Sequence, residues 1–297
     1  MKTHVNYFKL TAKLNRVSFI GIEAVKGALE QIEKISPEEF SKLNTDPKLK
    51  DSTIKAAREA ATEQVKLAQE FASLPDQDIR NRLAKYLPED RIKLIEGALG
   101  IPTFRVEITK KKDGKHGVQF TREGAEFLPG KQLTTVADIE SASFIQMASI
   151  LVEAVLLVMQ AVGIEISPSS STIEATVKET VTAIKNSSKL QRAIAQFIDS
   201  WEKAGGNALS KAKAIFSLIK DSYAGGILWT IIKSLCRNMK WYDWLETSAK
   251  VVAMIIAALA TDGAALIAEI ALIVLSAVDF ARKIANLGQL EEIKETL

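Results

Sequence analysis

The side chains of this 297-residue chain that could do chemistry are two histidines, one cysteine, a few serine and lysine pairs, and a set of carboxylates in apolar surroundings. His4 lies beside the N-terminus and His116 in a polar turn, and neither has a second ligand at a spacing that holds zinc. Ser210 with Lys213 and Ser217 with Lys220 have a spacing at which a lysine could take a proton from a serine nucleophile. Lysine-rich helices produce that spacing freely, and no nucleophile elbow or glycine-rich phosphate loop accompanies it. Asn186-Ser187-Ser188 fits the glycosylation triplet, a short and common pattern. These residues read as ordinary surface chemistry. The expectation is a protein that is not an enzyme, with no catalytic, cofactor-binding or metal-binding set.

Three carboxylates are less ordinary. Residues 143–166 read SFIQMASILVEAVLLVMQAVGIEI, about long enough to cross a hydrocarbon core, with Glu153 inside the run. Residues 251–278 are longer still and divide at Thr261-Asp262-Gly263, an acidic corner between two apolar helices, with Glu269 beyond it. An ionised carboxylate at mid-bilayer costs about 2.5–3.5 kcal/mol on insertion scales, which argues against a permanent span. Protonation removes the charge, so the same groups suit a conditional span. Glu153, Leu156, Ile256, Asp262, Glu269 and Ile273 are therefore the candidate membrane-inserting residues. Central helices of a large bundle would also be apolar on every side, and under either reading Leu156, Ile256 and Ile273 are expected to be buried in water.

Trp229, Trp241, Tyr242 and Trp244 precede the longer apolar run, with Lys233, Arg237 and Lys240 interleaved. Amphipathic aromatics beside basic groups favour lipid headgroups, and these four are the candidate membrane-interface residues. A core aromatic cluster with a solvated basic edge is the alternative.

The elements that must position these groups are mostly helical. Leu10, Leu14, Val17, Ile20, Ala24, Ala28 and Ile32 recur at helical spacing over residues 5–35. Ser36-Pro37-Glu38-Glu39 has the form of a capping-box start, and Asp46-Pro47 begins the next helix. Residues 104–108 and 117–120 alternate with period two about a Lys112-Asp113-Gly114-Lys115 turn, predicting one β-hairpin, and residues 124–132 read as a loop. A long helix is expected over residues 136–162, stopped by Gly163. Further helices are expected over 171–185, up to 204, then 208–222, 227–239, 243–260 and 264–287, with Gly288 ending the last. The expected fold is all-α in the main, a multi-helix bundle around apolar central helices with one hairpin near residues 104–120. Its segments are 1–100 (amphipathic helices), 101–132 (hairpin and loop) and 133–297 (the bundle holding the apolar runs).

Composition agrees with a chain that folds in water: 47% hydrophobic, 25% charged, net charge +3. That charge is too small and too dispersed for a nucleic-acid partner. Cys236 is the lone cysteine, so no internal disulfide supports the fold. Lys9, Lys13 and Arg16 interrupt the N-terminal region, and no secretory signal is expected; action outside the cell would require lysis or a dedicated export machine.

Taken together, residues 249–284, and less fully 136–166, resemble the α-helical pore-forming proteins and toxin translocation domains. The resemblance implies an apolar hairpin buried in a soluble helical sandwich, with Asp262 and Glu269 at or near its tip. It also implies a lipid membrane as partner, self-assembly on that membrane, an unidentified receptor, and a secreted, toxin-like role at a target-cell membrane. Residues 251–260 are too short to span alone. The competing function class is a non-catalytic helical scaffold or partner-binding protein.

Overall fold

The computed structural model describes residues 2–71, 79–97, 104–110, 115–122, 125–164 and 166–296. In chain order the elements are α1 (Lys2–Ile35), α2 (Pro37–Thr45), α3 (Pro47–Phe71), α4 (Ile79–Leu83), α5 (Glu89–Gly97), β1 (Phe104–Lys110), β2 (His116–Arg122) and β3 (Ala125–Leu133). There follow α6 (Val136–Ala161), α7 (Ser170–Lys185), α8 (Ser188–Ala204), α9 (Ala208–Ala224), α10 (Ile227–Leu235), α11 (Trp241–Leu259), α12 (Ala264–Ile273) and α13 (Val278–Thr296). The chain is thus a multi-helix, mainly α protein with one small sheet.

The helix boundaries follow from local chemistry. Pro37 and Pro47 occupy first-turn positions, where a missing N–H costs nothing. Ser36 precedes α2 as expected, yet its hydroxyl makes no capping bond, so the proline starts the helix without a capping box. Thr135 and Asp138 do form one at the start of α6, each side chain accepting from the other's backbone N–H. Ser169 caps α7 by accepting from the Thr172 N–H, so the helix begins one residue before the expected 171. At the far end of α6, Gly163 takes the left-handed conformation (φ +75°). Gly163 N–H donates to the Gln160 carbonyl and Ile164 N–H to the Met159 carbonyl, both at 2.8 Å, which closes the helix by a Schellman motif.

The chain folds into two compact units, residues 1–89 with 239–269, and residues 90–238 with 270–297. The three contiguous segments expected from sequence do not coincide with them, because α11 and most of α12 join the N-terminal helices.

In the first unit α1, α3 and α11 pack on one another. Small residues let them approach closely: Ala24 and Ala28 on α1, Ala57, Ala61 and Ala68 on α3, and Ala253, Ala257 and Ala258 on α11 are all buried. Gly27 on α1 faces Ile256 on α11 so tightly that an added Cβ would lie 2.9 Å from the Ile256 Cδ1.

In the second unit the antiparallel sheet has the order β1-β2-β3, and the expected hairpin is its first two strands, with Val106 opposite Phe120 and Ile108 opposite Val118. The segment read as a loop supplies a third strand, β3. Pro129 and Gly130 suggest a turn there, but β3 is an edge strand, where proline's missing N–H is tolerated. The register shifts between Val118 and Phe120 and between Phe120 and Thr121 accommodate it. Against this sheet lie α6, which packs on β3, and α13, which packs on both β1 and α6; α7 covers another side of α6.

The expected single helix over residues 264–287 is two. It breaks at a 3-10 turn, Val274–Ser276, and α13 then runs through Gly288 to Thr296. The cause is a change of pattern: α12 is apolar all round, whereas Phe280, Ile284, Leu287 and Leu290 form one buried stripe on α13. Gly288 lies off that stripe with open space around it, so it does not end the helix.

Candidate functional site

Among the described residues, α6 is the one helix long and apolar enough by itself to cross a membrane. Its 26 residues span about 39 Å, against about 30 Å of hydrocarbon. It is also hidden, with 83% of its most apolar stretch buried, Leu156 included.

Glu153 lies within that helix and is buried, and its partner is 130 positions away: Lys283 on α13 donates its amine to Glu153 Oε2. Both side chains are shielded from water, with exposures of 3% for Glu153 and 1% for Lys283. Burial pushes the Lys283 amine below the ordinary lysine value, an effect that the Glu153 carboxylate opposes. Gln146, one and a half to two turns earlier on α6, donates its amide to the Lys283 backbone carbonyl. A surface pair, Lys294 with Glu140 at 3.2 Å, joins the other ends of the same two helices. One turn either side of Lys283, α13 is also tied to the sheet: Asn286 donates to the Val106 carbonyl, and Arg105 pairs with Asp279 at 3.3 Å.

The longer apolar run is built differently. Helices α11 and α12 pass the same length and composition test only as a pair, bent by 114°. An antiparallel hairpin is therefore not present, and α12, about 15 Å long, cannot span alone. Asp262 sits exposed at the corner with φ +53°, the single non-glycine residue with positive φ among the described residues, followed by Gly263 at +71°. Glu269 is buried on α12 and accepts a hydrogen bond from Gln64 Nε2 on α3 at 2.7 Å. Ile273 is buried and Ile256 half-buried. A second bent pair, α9 with α10, turns by 100°.

The aromatic candidates part company. Trp241 and Tyr242, at the start of α11, are each 37% exposed, and their rings meet edge to face at 5.9 Å. The Lys42 amine lies 5.7 Å from the Trp241 ring centre and the Lys240 amine 5.6 Å from that of Tyr242. Together they form a solvent-facing platform of aromatic faces and ammonium groups. Trp229 and Trp244 are buried, so in this state they face protein. By unit, Glu153, Leu156, Ile273 and Trp229 fall in the second, and Ile256, Asp262, Glu269, Trp241, Tyr242 and Trp244 in the first.

Lys283, Gln146, Asn286 and Gln64 were not singled out by sequence. Lys283 carried a readable signal, since it falls within the apolar stripe between Phe280 and Ile284, where a lysine needs a buried partner. The identity of that partner depends on tertiary contact and had no local signal. No group of three or more His, Cys, Asp or Glu side chains is placed to hold a metal ion among the described residues. No protein-family model, curated protein or solved structure was found to match the chain.

Proposed function

We propose that this protein is released in a water-soluble form and inserts α6 into a target membrane, where several copies form a pore. The observation that carries the reading is α6 itself, a helix of membrane-spanning length and composition whose buried part carries one ionisable group, Glu153, neutralised by a lysine on another helix. A helix stored inside a folded protein must have such a carboxylate paired, and the partner here lies on α13, a helix with too many charges to enter a bilayer itself. The Trp241 and Tyr242 platform with Lys42 and Lys240 supports first contact with anionic headgroups. The resemblance to pore-forming proteins is retained for α6, with α11 and α12 entering as a bent pair rather than as a hairpin.

A second reading, a helical scaffold that binds partners without catalysis, is favoured by the packing of α6 against α7, α13 and β3, as expected of a bundle's central helix. Dye release from vesicles containing anionic lipid, followed across pH, separates the two. Release that rises as pH falls supports insertion, and intact vesicles at every pH support the scaffold.

A further inference from the structure

We infer that the seam between α6 and α13 is the one that opens when α6 moves into lipid, and that α13 stays behind on the sheet; this deepens, and rests on, the reading of α6 as the inserting helix. The two helices lie side by side in water but differ in what hydrocarbon would accept. From Ile139 to its end, α6 carries only Glu140 and Glu153 as ionisable groups. Helix α13 carries Asp279, Arg282, Lys283, Glu291, Glu292, Lys294 and Glu295, too many charges to follow it into a bilayer.

Two polar links across the seam converge on one residue: Glu153 accepts from the Lys283 amine and Gln146 donates to the Lys283 carbonyl. The Glu140 and Lys294 pair links the same two helices at the surface. Lys283 is thus the lock, and once it lets go, α6 loses its buried ionic bond to α13.

Asp279 and Asn286, one turn either side of Lys283 on the same face of α13, make their own contacts to β1, and Phe280 makes one to α8. Asn286 donates to the Val106 carbonyl on β1, Arg105 of β1 pairs with Asp279, and the Phe280 ring packs edge to face on Trp201 of α8 at 5.2 Å. These contacts can persist after α6 has left, and they keep the apolar stripe of α13 partly covered.

The test links each seam in turn. In a Cys236→Ala background, Glu140→Cys with Lys294→Cys places thiols across the α6 and α13 seam, and Arg105→Cys with Asp279→Cys places them across the α13 and β1 seam. The substituted side chains are partly exposed surface groups, so folding is expected to be preserved and is checked by circular dichroism. Each pair is closed with a short bismaleimide containing a disulfide, and dye release is measured from vesicles of phosphatidylcholine and phosphatidylserine before and after reduction.

The expected result is loss of release when α6 is linked to α13, recovery on reduction, and unchanged release when α13 is linked to β1. Release that survives the first link overturns the inference, as does equal loss from both links, which would mean that the whole unit comes apart. A wild-type protein that never releases dye removes the insertion reading itself, an outcome distinct from either.

Discussion

Lys283 on α13 donates to Glu153 on α6, and neither side chain reaches water. Desolvating two such groups is expensive, and their attraction restores the cost only while both are present and well placed. The pair is therefore weak evidence of stability for its own sake. With the Gln146 bond to the Lys283 carbonyl and the surface pair of Glu140 and Lys294, it links α6 to α13.

Removing one partner is expected to be far worse than removing both. Lys283→Met leaves Glu153 uncompensated in the core and should destabilise the protein by about 3–5 kcal/mol. Lys283→Met combined with Glu153→Leu should recover most of that loss. Guanidinium unfolding of the three proteins checks this, and equal losses in the single and double variants would contradict it.

The pH dependence of Lys283 can be isolated with Glu153→Gln. Burial holds the amine below its ordinary 10.5, and Glu153 partly restores it, so the substitution should depress it further. A base with a folded-state pKa below its unfolded value binds fewer protons when folded. Its contribution to stability is complete above about 10.5 and is lost as pH falls through the depressed value. Relative to wild type, the variant should therefore gain stability as pH is raised from about 7 toward 10, by no more than about 1.4 kcal/mol per pH unit. Urea midpoints at several pH values measure the difference, which a flat profile would refute.

Trp201, Trp229 and Trp244 are buried, so iodide should quench Trp241 selectively in the soluble protein. Anionic vesicles are expected to shield it and shift its emission to shorter wavelength. Trp241→Ala with Tyr242→Ala should weaken vesicle binding without changing unfolding by urea. Unaltered quenching at saturating lipid would remove the headgroup role of this platform.

The corner at Asp262 gives a prediction about backbone. With φ at +53°, Asp262→Val should cost about 1–2 kcal/mol, while Asp262→Gly is neutral or stabilising. The insertion reading adds that Asp262→Asn with Glu269→Gln raises dye release at neutral pH and flattens its pH dependence. Glutamine at 269 retains an acceptor for the Gln64 amide, so the comparison concerns charge. If the pair folds normally and releases dye as wild type does, these carboxylates do not control insertion.

Much of α6 was legible in the sequence. Its length and its stop at Gly163 are local signals, and the structure places the helix within one residue of the expected span, while the Thr135 and Asp138 capping box emerges only from the structure. Thr261-Asp262-Gly263 announced a break but not its 114° angle, which depends on what α11 and α12 pack against. Leu156 and Ile273 are buried as expected, but Ile256 is only half covered, although its Cδ1 packs tightly on Gly27. Strand β3 was hidden because its proline and glycine sit at an edge that tolerates them. The partners of Glu153 and Glu269 were hidden for a different reason: 130 and 205 residues separate them, and no local period encodes such a pairing.

Whether α6 leaves the protein interior for lipid can be read from a fluorophore placed on the helix. Leu156→Cys in the Cys236→Ala background, labelled with an environment-sensitive dye, is read against vesicles carrying quenchers at known depths in their acyl chains. If α6 inserts, acyl-chain quenchers reduce the emission, most strongly under the conditions in which the vesicles leak. Emission that lipid-borne quenchers leave unchanged while the protein is bound would mean that α6 remains inside the fold, and that it does not insert.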